Sequence, residues 1–296
     1  MNSNVLAIDI GGTKTVVAVV DKDFNIKNKS EFFTPTDQAE FIKVLKGDIE
    51  KLDQDKSLPV GVAICGLLSI DGKKLLVAPN LNWRDMVLKD FFSSLDRKLH
   101  IVNDGTAAAW GSYITERSEN VKRFLTLTLG TGVGGGIILD DHLVLGAGEI
   151  GHIKIREDGP LCGCGKKGCL EAFVGGRNIP ARVNQWYGLN IETSKELYQL
   201  AADGDSSAKE SWERIGAILG YALSGVVNLN GIQMITIGGK VTRAKGYFLE
   251  ALKRALTLNL MDAELQGCSV SISKWGDGLS LIGAAAVVIE PPNDFK

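Results

Sequence analysis

Along the chain, apolar and polar positions sort into short runs with strand or helix spacing. Residues 5–10 form a β-branched run that stops at Gly11 and Gly12, and residues 15–20 form a second run that stops at Asp21. The pair predicts a hairpin turned on glycines. A dinucleotide-binding fold would need a helix directly after such glycines, but Val16, Val17, Val19 and Val20 favour strand there. About 120 residues later the pattern returns, with a strand over 124–129, a glycine turn over 130–136 and a return strand over 137–139. Two halves built on one plan are expected. Runs at 60–64 and 99–102 predict buried strands, while the apolar spacing over 38–52 and 106–114 predicts helices. In the second half, 208–229 reads as a long helix, 234–237 as a strand, 247–258 as a helix and 281–289 as a closing helix. The fold class is therefore α/β. No linker rich in Pro, Ser or charge divides the halves, and the polar stretch 117–121 is the expected boundary. That gives a small lobe over 1–118, a larger lobe over 119–279, and a closing segment over 280–296 that returns to the first lobe.

Composition narrows the function classes. With 296 residues, 45% of them apolar and 23% charged, the chain can bury one large core or two lobes of about 100 to 200 residues. The 33 Lys and Arg against 35 Asp and Glu leave a net charge of -2 and no dense cationic block, so nucleic acid is not an expected partner. The first ten residues lack a signal-peptide pattern, and the longest apolar run, 281–289, is about half of the ~18 residues a membrane span needs. A soluble, cytoplasmic protein with no membrane partner is expected. Three of the five cysteines fall within eight residues, which in a reducing compartment favours metal ligation over a disulfide framework. Cys65 and Cys268 read as ordinary core cysteines.

Several residues carry candidate chemistry, each beside a plainer reading. The first turn, Asp9-Ile10-Gly11-Gly12-Thr13-Lys14, lets backbone N–H groups approach a polyphosphate, or it is a plain hairpin turn. Asp9 favours the former, because a carboxylate at a strand end beside a phosphate turn is placed to hold Mg²⁺. The second turn, residues 130–136, has five glycines in seven positions, more than chain reversal needs, and close approach to a ligand accounts for the excess. Gly238-Gly239 follows a strand where an open sheet receives ligands, or simply turns into a helix. Asp104 in Asn103-Asp104-Gly105 is an N-cap, a general base, or both. His152, Cys162, Cys164 and Cys169 make a closed, structural zinc site, with a Cys162–Cys169 disulfide as the alternative. Glu149 and Glu171 flank that cluster and suit the paired hydroxyls of a sugar, unless they are solvated surface groups. Asn80, Asn82 and Trp83 offer the amide and aromatic groups of a carbohydrate site.

Four motifs resemble the ROK family of bacterial repressors, uncharacterised reading frames and sugar kinases, in order and spacing and nearly end to end. They are D-I-G-G-T-K from Asp9 to Lys14, Asn103-Asp104, the 130–136 loop, and Glu149-x-x-His152 followed by C-G-C-G-K-K-G-C-L-E from Cys162 to Glu171. The resemblance implies a two-lobed, duplicated actin-like (ribonuclease H-like) ATPase fold with a cleft between the lobes. It implies Asp104 as catalytic base, and sugar contacts from Asn80, Asn103, Asp104, Glu149, His152 and Glu171. ATP and Mg²⁺ would meet Asp9, Gly11, Gly12, Thr13, Lys14, Gly130, Thr131, Gly132, Gly134, Gly238 and Gly239. His152, Cys162, Cys164 and Cys169 would hold zinc, and a homodimer is common in the family. The expected reaction is ATP-dependent phosphorylation of a hexose at a primary hydroxyl, glucose to glucose 6-phosphate first. N-acetylglucosamine, N-acetylmannosamine, mannose and fructose stay open as acceptors. A sugar-sensing repressor is the rival from another class, but its helix-turn-helix would precede a hairpin that here starts at Val5. A non-enzymatic actin-like ATPase would not need the carboxylates beside the cysteines.

Overall fold

The computed structural model describes residues 4–293 apart from 147, 263 and 264. The first half comprises β1 (Val5–Ile10), β2 (Lys14–Val20), β3 (Ile26–Phe33), α1 (Gln38–Leu52), β4 (Val60–Ile64), β5 (Leu67–Leu68), β6 (Lys74–Ala78), β7 (Trp83–Val87), α2 (Leu88–Phe91), β8 (Leu99–Asn103) and α3 (Asp104–Glu116). The second comprises β9 (Phe124–Leu129), β10 (Val133–Leu139), β11 (His142–Leu143), α4 (Glu171–Val174), α5 (Ile179–Tyr187), α6 (Ser194–Ala202), α7 (Ser206–Asn230), β12 (Met234–Gly238), α8 (Lys245–Leu258), β13 (Ser269–Ile272) and α9 (Leu279–Ile289).

Two five-stranded sheets carry the chain, ordered β3-β2-β1-β4-β8 and β11-β10-β9-β12-β13. In each, a hairpin pairs antiparallel and its first strand pairs in parallel with a later one, β4 beside β1 and β12 beside β9. The repeated plan expected from the two glycine hairpins is present. All five residues of β4 are buried, as parallel strands covered on both faces require. One cover is α9, which comes so near that a Cβ on Gly61 would overlap the Ala284 carbonyl. On its other side α9 packs on α3, where a Cβ on Gly111 would meet the Gly283 Cα at 2.7 Å. Because α3 also packs on β9 and β10, the two helices form the layer between the sheets. Trp110, Phe124, Ile138, Met234 and Leu281 share the core there.

The opposite face of the first sheet is closed by α1 and a small β5-β6-β7 sheet around Phe41, Leu75 and Trp83. The second sheet carries α4 to α8, with Trp212 and Phe248 in their core. Long α7 starts on the Asp205 side chain, which accepts from the Ala208 N–H, and ends at Gly231 with φ 61°.

Four differences from expectation have physical causes. Strand β3 (IKNKSEFF) is mostly exposed at the sheet edge, so it shows no apolar run. The return strand after the second turn begins at Val133, four residues earlier than expected. Closing helix α9 spans Leu279–Ile289 and not the whole of 280–296; Pro291 and Pro292 follow it, and residues 294–296 lie outside those described. Trp83 does not line a carbohydrate site. It is 1% exposed, packs edge-on against Phe41, and donates its indole N–H to the Thr36 carbonyl. Its truncation to alanine costs about 3–5 kcal/mol of stability.

Candidate active site

Parallel strands β1, β4 and β8 end on the same side of the first sheet, and their ends bring together the first set of polar groups. Asp9 is the last residue but one of β1. The glycine turn after it is fastened locally: the Gly11 N–H donates to the Lys14 carbonyl (3.0 Å), and Thr34 Oγ1 donates to the Gly11 carbonyl (2.9 Å). Lys14 itself is paired with Glu31 at 3.1 Å. At the end of β8, Asn103 and not Asp104 caps α3, since Asn103 Oδ1 accepts from the Thr106 N–H at 3.0 Å. Asn103 Nδ2 donates to the Gly66 carbonyl at 2.8 Å, so the amide is held from both ends.

Capping by Asn103 leaves the Asp104 carboxylate uncommitted to the helix end, with the Gly105 N–H donating to its Oδ1 at 2.9 Å. Burial pushes the Asp104 carboxyl up to about 6, opposed by the Gly105 N–H and reinforced by the negative charge of Glu149. Burial also pushes Asp9 up to about 7, with Asp104 adding to the rise and Lys14 opposing it. Cys65, just after β4, lies near both carboxylates; burial first, then Asp104 and Asp9, hold its thiol above the usual range. A carboxyl poised near neutrality can exchange a proton with an attacking hydroxyl. A divalent cation beside Asp9 would relieve the like-charge repulsion, which is the fit expected of an Mg²⁺ site.

The second set of groups hangs from β10. Glu149 precedes a short helical turn over Ile150–His152, and its Oε2 lies 3.8 Å from His152 Nε2. The other ring nitrogen, Nδ1, lies 3.7 Å from Cys162 Sγ. Cys164 Sγ and Cys169 Sγ are also 3.7 Å apart, and the four donor atoms all fall within 4.8 Å of one another. Thiolates bound at 2.3 Å around a tetrahedral ion stand about 3.8 Å apart, whereas a disulfide needs about 2 Å. The donor set therefore fits zinc, with one histidine nitrogen facing the cysteines and the other facing Glu149. Glu171 starts α4 and joins this cluster to the second glycine turn: its Oε2 accepts from the Val133 N–H at 3.0 Å, and its Oε1 accepts from Cys162 Sγ at 3.5 Å.

That second turn is tighter than the sequence suggested, with the Gly130 N–H donating to the Gly132 carbonyl at 3.1 Å. Gly134, Gly135 and Gly136 lie inside β10. Cβ atoms there would stand 2.5 Å from the Thr126 carbonyl oxygen at Gly135 and 2.6 Å from Ala109 of α3 at Gly136. Close packing on β9 at Gly135 and on α3 at Gly136, and not ligand approach alone, accounts for the glycine excess. Gly239 closes the same end of the sheet with φ 94°, its N–H donating to the Gly276 carbonyl at 2.9 Å and its α-carbon pressed against the Leu129 backbone.

A family model described as "ROK family" matches residues 5–290. The chain belongs to the ROK family. It is 32% identical over 297 residues to an N-acetylmannosamine kinase of Haemophilus influenzae, covering 95% of this chain and 93% of that one. It is 28% identical over 309 residues to a glucokinase of Streptomyces coelicolor, covering 97% and 98%. Among solved structures, a ROK glucokinase from Streptomyces griseus in complex with glucose and AMPPNP superposes with a TM-score of 0.84 at 27% identity, covering 96% and 98%. The actin-like fold of the ROK sugar kinases is thus the fold of this chain.

Within this ROK chain the expected Asn80 is brought to the site, while Gly176 and Arg177 are site neighbours that sequence reasoning missed. Asn80 lies on the first turn, packed so closely that Gly12 has no room for a Cβ. Gly176 and Arg177 lie along the second turn, with the Gly176 N–H donating to the Gly130 carbonyl at 2.9 Å. The Gly175-Gly176 pair was the visible signal.

Proposed function

We propose that this ROK protein transfers the terminal phosphoryl group of ATP to a primary hydroxyl of a hexose, with glucose as the first candidate. The observation that carries the reading is Asp104: released from capping by Asn103, raised to about 6, and next to the hydroxyl-reading carboxylate Glu149. Asp104 accepts the hydroxyl proton as the sugar oxygen attacks the phosphorus in line. Asn80, Asn103, Glu149, His152 and Glu171 orient the sugar. The Gly11-Gly12 and Gly130 to Gly132 turns, each closed by its own first N–H, hold the polyphosphate through the N–H groups that remain, with Thr13 and Thr131, while Gly134, Gly238 and Gly239 let it approach. Mg²⁺ supplies charge neutralisation on the polyphosphate when bound beside Asp9. Zinc on His152, Cys162, Cys164 and Cys169 is structural and fixes the loop that ends in Glu171.

Residues 1–118 with the returning segment 280–296 form one jaw of a clamp and residues 119–279 the other, and closure excludes water. A cytoplasmic homodimer is the expected form. A second acceptor class is favoured by one observation. A cavity of about 110 Å³ beside Asn103 and Glu149 is lined by Leu67, Leu68, Ile101, Val102 and Leu145 together with polar Ser69, Asp71 and Thr106, a mixture that suits the methyl and the amide of an N-acetylhexosamine. A coupled assay for ADP release against glucose, mannose, fructose, N-acetylglucosamine and N-acetylmannosamine tests both. Turnover of glucose supports the first reading, turnover of the acetylated sugars alone supports the second, and turnover of none overturns both.

A further inference from the structure

The segment between α4 and α5 runs along the second glycine turn. Gly176 comes so near that a Cβ on it would stand 2.5 Å from the Gly130 carbonyl oxygen, and the Arg177 N–H donates to the Thr131 carbonyl at 3.0 Å. The Arg177 backbone is thereby fixed to the turn. Its side chain points away toward the first half of the molecule, where Nη2 lies 3.5 Å from Asn80 Oδ1. Asn80 in turn is packed on Gly12. One residue therefore links the two turns that flank the cleft.

The guanidinium is exposed, and among the described residues no carboxylate lies within ion-pair distance of it. An amide oxygen at 3.5 Å is a weak partner that needs no positive charge. Lys14, on the first turn, differs in being committed to Glu31. A fixed backbone, an uncommitted planar cation and two N–H-rich turns on either side together make a site for an anion with several phosphate oxygens.

We propose that Arg177 binds the terminal phosphate of the nucleoside triphosphate and follows it through transfer. This rests on the kinase reading above. As the sugar oxygen forms its bond to the γ-phosphorus, the bond to the β–γ bridging oxygen breaks and the hydroxyl proton passes to Asp104. Arg177 keeps its protons throughout and donates hydrogen bonds to the oxygens that carry the moving charge. It also exchanges Asn80 for phosphate, which frees the Asn80 amide for the sugar.

Calorimetric titration with Mg-ADP and with Mg-AMPPNP, on the wild-type chain and on Arg177→Gln and Arg177→Lys, tests the assignment without requiring turnover. In Arg177→Gln the affinity for AMPPNP should fall roughly 10- to 100-fold, as for loss of a charge-assisted bidentate contact, while that for ADP changes little. Arg177→Lys should recover part of the loss, and sugar affinity without nucleotide should stay near the wild-type value. Retention of the wild-type preference for AMPPNP over ADP in Arg177→Gln would overturn the proposal. So would an equal loss for ADP, AMPPNP and sugar, which would make Arg177 only a brace on Asn80. A wild-type chain that shows this nucleotide pattern but phosphorylates no sugar would sink the kinase reading and leave the Arg177 assignment standing. Normal kcat in Arg177→Gln would do the reverse.

Discussion

The hairpins β1–β2 and β9–β10 hold equivalent places in two sheets of one plan, yet their glycine turns are secured in different ways. The first is fastened by its own surroundings, through Lys14 and Thr34, and is followed by a strand of valines. The second is held from a distance: Glu171 accepts from Val133, and Gly176 and Arg177 donate to Gly130 and Thr131. Its strand is built of glycines because β9 and α3 press closely on it. The division of labour follows. The first half supplies the buried carboxylates at strand ends, while the second supplies a turn whose position depends on the cysteine loop.

Removing the chemistry of the first half should have the largest effect. Asp104→Asn should lower kcat by ~10² to 10⁴, the range for loss of a general base, with an unchanged thermal melt because Asn103 does the capping. Near-normal turnover would take Asp104 out of that role. Damage to the second turn should be smaller and broader. A Cβ on Gly132 would overlap Glu171 Oε2, so Gly132→Val should weaken sugar binding as well as raise the KM for ATP, by about tenfold or more each. Gly239→Ala, which strains the backbone against Leu129 and touches no sugar-facing group, should raise the KM for ATP alone. If Gly132→Val left nucleotide-free sugar affinity intact, the link through Glu171 would be broken.

Loss of the cysteine cluster sharpens the same contrast. Cys164→Ser should weaken zinc binding by at least ~10-fold, and Glu171 should then loosen. The KM for sugar should rise more than the KM for ATP, with the ATP effect confined to the contact with Val133. Zinc content by elemental analysis and the two KM values check this, and full activity with less than about a tenth of an equivalent of zinc would contradict it. The smallest effect is that of pH. Because the reaction needs the Asp104 carboxylate and its carboxyl is raised to about 6, kcat/KM for sugar should halve near pH 6 and fall about tenfold per unit below it. A flat profile down to pH 5 would show that the ionised form is already secured there.

Much of this was legible because the relevant residues restrict the backbone. Glycines after a β-branched run show a hairpin, and the spacing of His152, Cys162, Cys164 and Cys169 points to a ligand set, whose donor atoms the fold brings within 4.8 Å of one another. What stayed hidden depends on contacts between distant segments. Trp83 reads the same in a core as in a sugar site, and only its packing on Phe41 decides. Gly135 and Gly136 look like a phosphate loop until β9 is found against the first and α3 against the second. Asp104 is the cap the sequence offers, and the hydrogen bond from the Thr106 N–H shows that Asn103 takes that place and leaves Asp104 as the acid. Arg177 has no motif of its own; its place comes from pairing with a turn far back in the chain.

The central claim is transfer to a primary hydroxyl with Asp104 as base. Phosphorus and carbon NMR of the product formed from ATP and ¹³C-labelled glucose by the wild-type chain and by Asp104→Asn tests it most directly. The account predicts a single phosphomonoester on carbon 6, formed by the wild-type chain and reduced by the ~10² to 10⁴ expected for a lost base in the variant. A phosphate on the anomeric carbon, free inorganic phosphate without sugar phosphate, or equal product from both chains would contradict it.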